Sequence, residues 1–120
     1  MQSTSLAGRI ILIVEDEPLI AVDIVTAFER AGAATLTARS LAAAVRLVEH
    51  GGLSAAVLDF GLGDGDADAL CGRLNERGIP FILHSGYTHA GDACRGGIVI
   101  PKPADTATLV ATLGGLLSAS

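Results

Sequence analysis

The sequence predicts an α/β protein in which a five-stranded parallel sheet is covered by helices on both faces. Most of the predicted strands are short apolar runs without polar alternation, which is typical of strands buried on both faces. These runs alternate with segments whose apolar residues recur at helical spacing. Such alternation implies right-handed crossovers and a parallel sheet. The 120 residues, half of them hydrophobic, suffice for one domain with a substantial core.

The first half of the chain contains two strand–helix pairs. A strand over 9–14 stops at an acidic turn with Pro18, which is a helix start signal. The first helix carries an apolar face and ends at Gly32; that face comprises Ile20, Ile24, Ala27, Phe28 and Ala31. A weaker strand over 34–38 precedes a helix that Ser40 can cap and that Gly51 closes.

The second half supplies three more strands and two more helices. A strand over 55–58 ends at Asp59, and Asp64 or Asp66 can cap the helix that follows the glycine-rich loop. The inner face of that helix is predicted to hold Ala67, Leu70, Cys71 and Leu74. Strands over 81–84 and 98–100 end at Ser85 and at Pro101-Lys102-Pro103. Asp105 can cap the last helix, with Leu109, Leu113, Leu116 and Leu117 inward.

Domain boundaries follow from these elements. Residues 1–8 are interpreted as a flexible N-terminal tail, 9–117 as the domain, and 118–120 as a frayed C-terminus.

Charge, apolar run length and cysteine content limit the partners and the cellular compartment that we expect for this protein. The net charge of −5 argues against nucleic acid as a partner. No signal peptide and no apolar run of the roughly 20 residues needed to span a bilayer is present, so we expect a cytoplasmic protein without a membrane partner. Cys71 and Cys94 are the two cysteines, and their spacing favours free thiols in a reducing cytosol over a disulfide framework.

Polar residues that can perform chemistry follow four of the predicted strands. Glu15 and Asp16 follow the first strand, Asp59 the third, Ser85 the fourth and Lys102 the fifth. Ligands of open parallel sheets bind at the carboxyl ends of the strands. Clustered carboxylates repel one another, and Mg²⁺ relieves that repulsion with hard oxygen ligands. Asp59 could then attack a phosphoryl donor and form an acyl phosphate.

Each of these residues alone has a simpler explanation. Glu15 and Asp16 could only complement a helix dipole, Asp59 could be a turn residue, Ser85 could be structural, and Lys102 could be a solvated surface lysine. Their coincidence at four strand ends favours a shared site.

This set of residues resembles the receiver domain of two-component response regulators. The matching stretches are Ile13 to Pro18, Leu58-Asp59, Ser85-Gly86 and Lys102-Pro103, and the resemblance covers 9–117. It implies a flavodoxin-like, doubly wound sheet of strand order 2-1-3-4-5.

The resemblance also implies a role for each site residue. Asp59 would be the phosphoacceptor, Ser85 the switch hydroxyl and Lys102 the lysine that pairs with the phosphoryl group. Asp16, Asp59 and the backbone carbonyl of Gly61 would bind Mg²⁺, and Glu15 would act through metal-bound water.

A protein of this kind would be a switch rather than a turnover enzyme, although it could remove its own phosphoryl group. A histidine kinase or histidine phosphotransfer protein would supply that group, and an unidentified downstream protein would receive the signal through protein contacts. The alternative is a degenerate receiver that acts as a docking module without phosphorylation. A small aspartyl phosphohydrolase is disfavoured because Gly61 replaces the second aspartate that such enzymes use.

The chain departs from the family between the hydroxyl and the lysine. Lys102 follows Ser85 by only 17 positions, so the fourth helix of the family is expected to be shortened or missing. This segment partially resembles the FAT GUY subgroup of mostly stand-alone receivers. Val99 occupies the position of the usual switch aromatic, and Tyr87 either substitutes for it or only packs.

The histidines and the remaining acidic residues fit weaker interpretations. His84 could contact the phosphoryl site or be a packed strand residue. Cys71, His84, His89 and Cys94 match no zinc signature. An acidic loop from Asp64 has Asn75 where a calcium loop needs glutamate.

Overall fold

The computed structural model describes residues 6–59, 67–85, 94, 96–102 and 104–118, with Asp59, Ala67 and Ser85 described by their backbone. Within these ranges, strands and helices follow one another in the predicted order. Their bounds are β1 Ile10–Val14, α1 Pro18–Arg30, β2 Ala34–Ala38, α2 Leu41–His50, β3 Ala55–Asp59, α3 Ala67–Glu76, β4 Phe81–Ser85, β5 Ile98–Pro101 and α4 Thr106–Ser118.

The five strands form one sheet in the order β2-β1-β3-β4-β5, and every neighbouring pair is parallel. This is the predicted doubly wound fold. The chain reverses direction across the sheet between β1 and β3, so these two central strands end beside the point where ligands bind in open α/β sheets.

Alternation along the strands divides the core into two layers. Leu12 and Val14 of β1 pack with α2 and α3, whereas Ile11 and Ile13 pack with α1 and α4. All four side chains are buried. The apolar run of β1 therefore serves both faces of the sheet, which explains why the sequence shows no polar alternation there.

Local chemistry sets several helix ends as predicted. Pro18 occupies the start of α1. The Ser40 hydroxyl accepts a 3.1 Å hydrogen bond from the backbone N–H of Ala43, and an Asp105 carboxylate oxygen accepts one of 2.9 Å from Thr108. These side chains satisfy N–H groups that have no partner within the helix. In the described ranges, no helix has both the length and the apolar character needed to cross a membrane.

The prediction of a flexible tail over 1–8 is wrong at Leu6. Leu6 is fully buried in the core layer beneath α1, and its backbone N–H donates to the carbonyl of Ala31. Gly32 has φ +102°, and a Cβ there would lie 3.1 Å from the backbone nitrogen of Ala7. Because Gly32 has no side chain, the turn at the end of α1 leaves room for the backbone of Ala7. The remainder of the predicted tail, residues 1–5, lies outside the described residues.

Two smaller expectations also change. Ile20 is predicted on the inner face of α1 but is 40% exposed, whereas Ala21 in the same turn is buried. Ser118 was predicted to fray but is the last residue of α4, where its hydroxyl donates to the carbonyl of Gly114 at 2.8 Å.

The prediction of free thiols is wrong. Cys71 on α3 and Cys94 form a disulfide with a Cα–Cα distance of 5.0 Å. The inner stripe of α3 brings Cys71 against the chain that leads into β5, which the sequence separation of 23 does not reveal. In the chain-entropy account, closing a loop of this length stabilises the fold by roughly 3 kcal/mol.

The predicted loss or shortening of the fourth helix concerns residues 86–93, which lie outside the described residues.

Candidate functional site

The carboxyl ends of β1, β3, β4 and β5 lie side by side at one edge of the sheet. In register, Val14 pairs with Leu58, Asp59 with His84, and Ser85 with Pro101. Neighbouring strands lie about 4.8 Å apart, so the row from β1 to β5 spans roughly 14 Å. The fold therefore brings together the backbones of all the strand-end residues that the sequence predicted.

Glu15 and Asp16 occupy the end of β1 in different environments. Glu15 is only 3% exposed, and its backbone N–H donates to Ala38 at 3.0 Å. Its Oε2 accepts a 2.8 Å hydrogen bond from the backbone N–H of Glu17, which shapes the turn into α1. The Asp16 side chain is exposed. One carboxylate is thus held in place, and the other faces solvent.

The other strand ends supply the acceptor, hydroxyl and lysine positions. Asp59 is the last residue of β3, and Ser85 is the last of β4. Lys102 is half-buried and directly follows Pro101, the register partner of Ser85. Gly61 and Tyr87, the proposed carbonyl ligand and switch aromatic, lie outside the described residues.

The donor chemistry at this edge fits Mg²⁺. The end of β1 carries two carboxylates, and β3 ends in a third acidic residue one strand away. Such hard oxygen ligands suit Mg²⁺ better than zinc or copper. Among side chains that the structure describes, no group of three or more His, Cys, Asp or Glu residues is arranged to hold a metal ion. That set does not include the Asp59 carboxylate.

His84 is the register partner of Asp59 and also lines a groove. It is 7% exposed, in agreement with its interpretation as a packed strand residue. It also lines a groove of about 560 Å³ between α1 and α4, together with Asp23, Arg30 and Asp105. The sequence identified His84 as unusual, but it did not predict the groove, because that depends on how the two helices pack.

Exposed apolar residues lie on α1 beside the acidic turn. Leu19 is 77% exposed and Val22 is 59% exposed. Neither was singled out from the sequence, although both lie off the helical stripe formed by Ile24 and Phe28. Both lie in the first two turns of α1, which follows the acidic turn at the end of β1.

Ion pairs connect α2 to α3 on the surface. Arg73 lies 2.6 Å from both Glu49 and Glu76, and Arg77 lies 3.2 Å from Glu49. Hydrogen bonding by Arg73, opposed by desolvation and supported by Arg77, holds the pKa of Glu49 below its usual value. Glu49 correspondingly raises the pKa of Arg73. These pairs fix α3 relative to α2 on the side of the sheet that also holds the disulfide.

The architecture and the strand-end row define a receiver-type fold, and comparison with solved structures agrees. A receiver domain protein from Methanospirillum hungatei is 21% identical and superposes with a TM-score of 0.84, covering 94% of this chain and 96% of that one. The receiver domain of a signal transduction histidine kinase from Syntrophus aciditrophicus is 29% identical, with a TM-score of 0.79 and coverage of 92% and 91%.

A third solved structure is similar and contains metal. It is the receiver domain of a sensor histidine kinase from Pseudomonas aeruginosa, with a magnesium ion coordinated in its active site cleft. It is 25% identical, covers 93% of this chain and 99% of that one, and has a TM-score of 0.79. No family model matches the chain. No curated protein matches it either. The chain therefore has the fold of response regulator receiver domains over nearly its whole length.

Proposed function

We propose that this protein is a phosphoacceptor switch in which Asp59 receives a phosphoryl group from a histidine kinase or a histidine phosphotransfer protein. The observation that carries this proposal is the strand order, which gathers Glu15, Asp16, Asp59, Ser85 and Lys102 at one sheet edge. Each residue alone has a simpler role. A fold that collects three carboxylates, a hydroxyl and an ammonium supports phosphoryl transfer to a carboxylate.

The chemical step is an exchange of one bond for another. A carboxylate oxygen of Asp59 attacks the phosphorus of a phosphohistidine. A P–O bond forms, the P–N bond breaks, and the imidazole nitrogen keeps the electron pair and takes up a proton. Hydrolysis of the acyl phosphate would return Asp59 to its starting state, so the protein acts as a switch rather than as a turnover enzyme.

The neighbouring residues would bind the phosphoryl group and the metal ion. Ser85 would donate a hydrogen bond to a phosphoryl oxygen, and the Lys102 ammonium would pair with its negative charge. Asp16, Asp59 and the carbonyl of Gly61 would hold Mg²⁺, with Glu15 acting through bound water. When bound, Mg²⁺ supplies positive charge that offsets the repulsion between the carboxylates and the phosphoryl oxygens.

The donor protein is expected to dock on α1. Leu19 and Val22 form an exposed apolar surface directly after Asp16. A partner seated there would exclude water beside the acceptor and would bring its histidine to the strand ends. Output then passes through contacts with a downstream protein, with Tyr87 as the candidate aromatic that reports the state of Ser85.

Intact-mass measurement after incubation with acetyl phosphate and Mg²⁺ tests the proposal. We expect one phosphoryl group per chain in the wild type and none in Asp59→Asn. Asp23→Asn serves as a matched control, because Asp23 is an exposed carboxylate within α1 and does not follow a strand. Incorporation that persists in Asp59→Asn, or is absent from the wild type, would overturn the assignment.

A degenerate receiver that docks without phosphorylation is the second candidate. The position of Val99, where the usual switch aromatic is missing, favours it. That candidate predicts partner binding that is unchanged by beryllofluoride with Mg²⁺ and by Asp59→Asn. Binding that depends on either treatment would eliminate it.

A further inference from the structure

The Cys71–Cys94 disulfide joins α3 to the chain that leads into β5. We define the β5 lead-in as Cys94, Gly96 and Gly97. The backbone N–H of Gly97 donates to the carbonyl of Cys94 at 3.1 Å, which closes the lead-in into a turn.

The lead-in packs closely against its neighbours. A Cβ at Gly96 would collide with the Asn75 side chain of α3, and one at Gly97 would collide with the Phe81 ring of β4. Both half-cystines are buried. The disulfide therefore lies where the lead-in, α3 and the sheet meet.

The two elements that the disulfide connects flank the strand-end site. α3 is the helix that follows Asp59 in the chain, and β5 is the strand that ends immediately before Lys102. β5 is an edge strand, and its Ile98 and Val99 are exposed. β5 is held by its pairing with β4 and by the buried Ile100, and the disulfide adds a covalent link at its start.

We propose that this disulfide is a redox-sensitive tether. In the oxidised protein it holds the β5 lead-in against α3, and reduction by an external dithiol releases the lead-in and loosens β5. The consequence for Lys102 and the phosphoryl group rests on the proposed function, whereas the tether itself does not.

The reduction balances as a thiol–disulfide exchange. A thiolate of the external dithiol attacks one sulfur, and the electron pair of the S–S bond leaves on the other sulfur, which takes up a proton. The second thiol of the reductant then resolves the mixed disulfide. The products are the Cys71 and Cys94 thiols and an oxidised reductant.

Asp68 is expected to slow this exchange, and that effect on the rate can be measured. Its Oδ1 lies 3.7 Å from the Cys94 sulfur. A carboxylate at that distance disfavours a thiolate departing on Cys94, which slows any attack on the Cys71 sulfur. The same charge repels the attacking thiolate, so Asp68→Asn should speed reduction.

Alkylation under denaturing conditions, followed by intact-mass measurement, is the first test. The untreated chain should take up no alkyl group, and the chain treated with dithiothreitol under native conditions should take up one at each of its two cysteines. Asp68→Asn should reach that state faster than wild type, and Asp23→Asn should reach it at the wild-type rate. Alkylation without reductant, or equal rates for Asp68→Asn and wild type, would overturn the proposal.

Amide hydrogen exchange of the full chain is the second test. Reduction should raise exchange at residues 96–100 by more than about tenfold and leave β1 and β3 unchanged, because only a local unit is released. The Cys71→Ala/Cys94→Ala variant should show the raised exchange without reductant. Unchanged exchange, or exchange that rises over the whole sheet, would show that the disulfide is not a local tether.

These readouts do not involve phosphorylation. If Asp59 takes up no phosphoryl group, the alkylation and exchange results still show whether the disulfide acts as a local tether. If both proposals hold, reduced and oxidised protein should differ in the lifetime of the acyl phosphate, whereas a lifetime independent of redox state would remove the link to Lys102.

Discussion

Glu15 Oε2 accepts a 2.8 Å hydrogen bond from the backbone N–H of Glu17. This bond spans the turn between β1 and α1, and the Glu15 side chain is almost fully buried. One carboxylate therefore serves two purposes. It closes the turn that presents Asp16, and it adds negative charge to the proposed Mg²⁺ site.

Substitutions at Glu15 should separate these two purposes. Glu15→Gln keeps an oxygen that can accept from Glu17, so the free energy of unfolding should change little. Its loss of charge should weaken Mg²⁺ binding on the order of tenfold. Glu15→Ala should weaken Mg²⁺ binding similarly and also lower the free energy of unfolding by about 1 kcal/mol.

Calorimetric titration with Mg²⁺ and urea unfolding measure the two effects, with Asp23→Asn as a control that should change neither. Equal stabilities of Glu15→Gln and Glu15→Ala would show that the bond to Glu17 contributes nothing. Wild-type Mg²⁺ affinity in Glu15→Gln would remove Glu15 from the metal site.

Much of the fold could be predicted because its signals are local. Ser40 and Asp105 mark helix starts because their side chains cap N–H groups three residues on. The strand ends at Asp59 and Ser85 were predicted because an apolar run stops there. The strand order itself came from the family resemblance, and the structure confirms it.

The features that were missed depend on contacts between distant parts of the chain. Leu6 looked like part of a polar tail, but it fills space beside the end of α1. Cys71 was correctly placed on an inner stripe, yet nothing in the sequence indicated that Cys94 would meet it. Leu19 was overlooked because an exposed leucine has no periodic signal of its own. Its proposed significance comes from its place in the first turn of α1, just after the acidic turn.

The apolar surface of α1 should matter for the protein donor and not for the chemistry. Leu19→Ser and Val22→Ser should change the free energy of unfolding by no more than about 0.5 kcal/mol, because both side chains are exposed. Phosphotransfer from a histidine phosphotransfer protein should slow markedly. Phosphorylation by acetyl phosphate should be unaffected.

Leu36→Ser is a suitable comparison, since Leu36 is an exposed apolar residue in the middle of β2 and does not lie at a strand end. It should leave both phosphoryl donors unaffected. Slower phosphorylation by acetyl phosphate in Leu19→Ser would indicate damage to the site, and unaltered protein phosphotransfer would exclude α1 as the docking surface.

The start of β5 should tolerate no side chain at Gly97. A methyl group there would collide with the Phe81 ring, so Gly97→Ala should lower the free energy of unfolding by about 1–3 kcal/mol. Gly115 offers a contrast, because a Cβ at that exposed position of α4 would meet nothing within 4 Å. Gly115→Ala should stabilise the protein by about 1 kcal/mol, since alanine is the better helix former. Urea unfolding measures both, and a neutral Gly97→Ala would contradict the close packing described for the lead-in.

The Arg73–Glu49 pair should make a small, pH-dependent contribution to stability. Arg73 donates from Nε and Nη2 to the two Glu49 carboxylate oxygens at 2.6 and 2.7 Å, and this chiefly holds the Glu49 pKa below its ordinary value of 4.5. A carboxyl group with a lowered folded-state pKa stabilises the fold above its unfolded-state pKa. That contribution is lost as the pH falls through the folded-state value.

Glu49→Gln should therefore be less stable than wild type at pH 7, and the two should converge in acid below the folded-state pKa of Glu49. Because these side chains are exposed, the difference should also shrink as NaCl concentration rises. Glu29→Gln provides the control, since the exposed Glu29 carboxylate accepts only a 3.3 Å hydrogen bond from Thr35 among the contacts described for it. Thermal unfolding across pH and salt measures the effect. A stability difference between Glu49→Gln and wild type that persists in acid would have to come from packing, because the ion pair no longer exists once Glu49 is protonated.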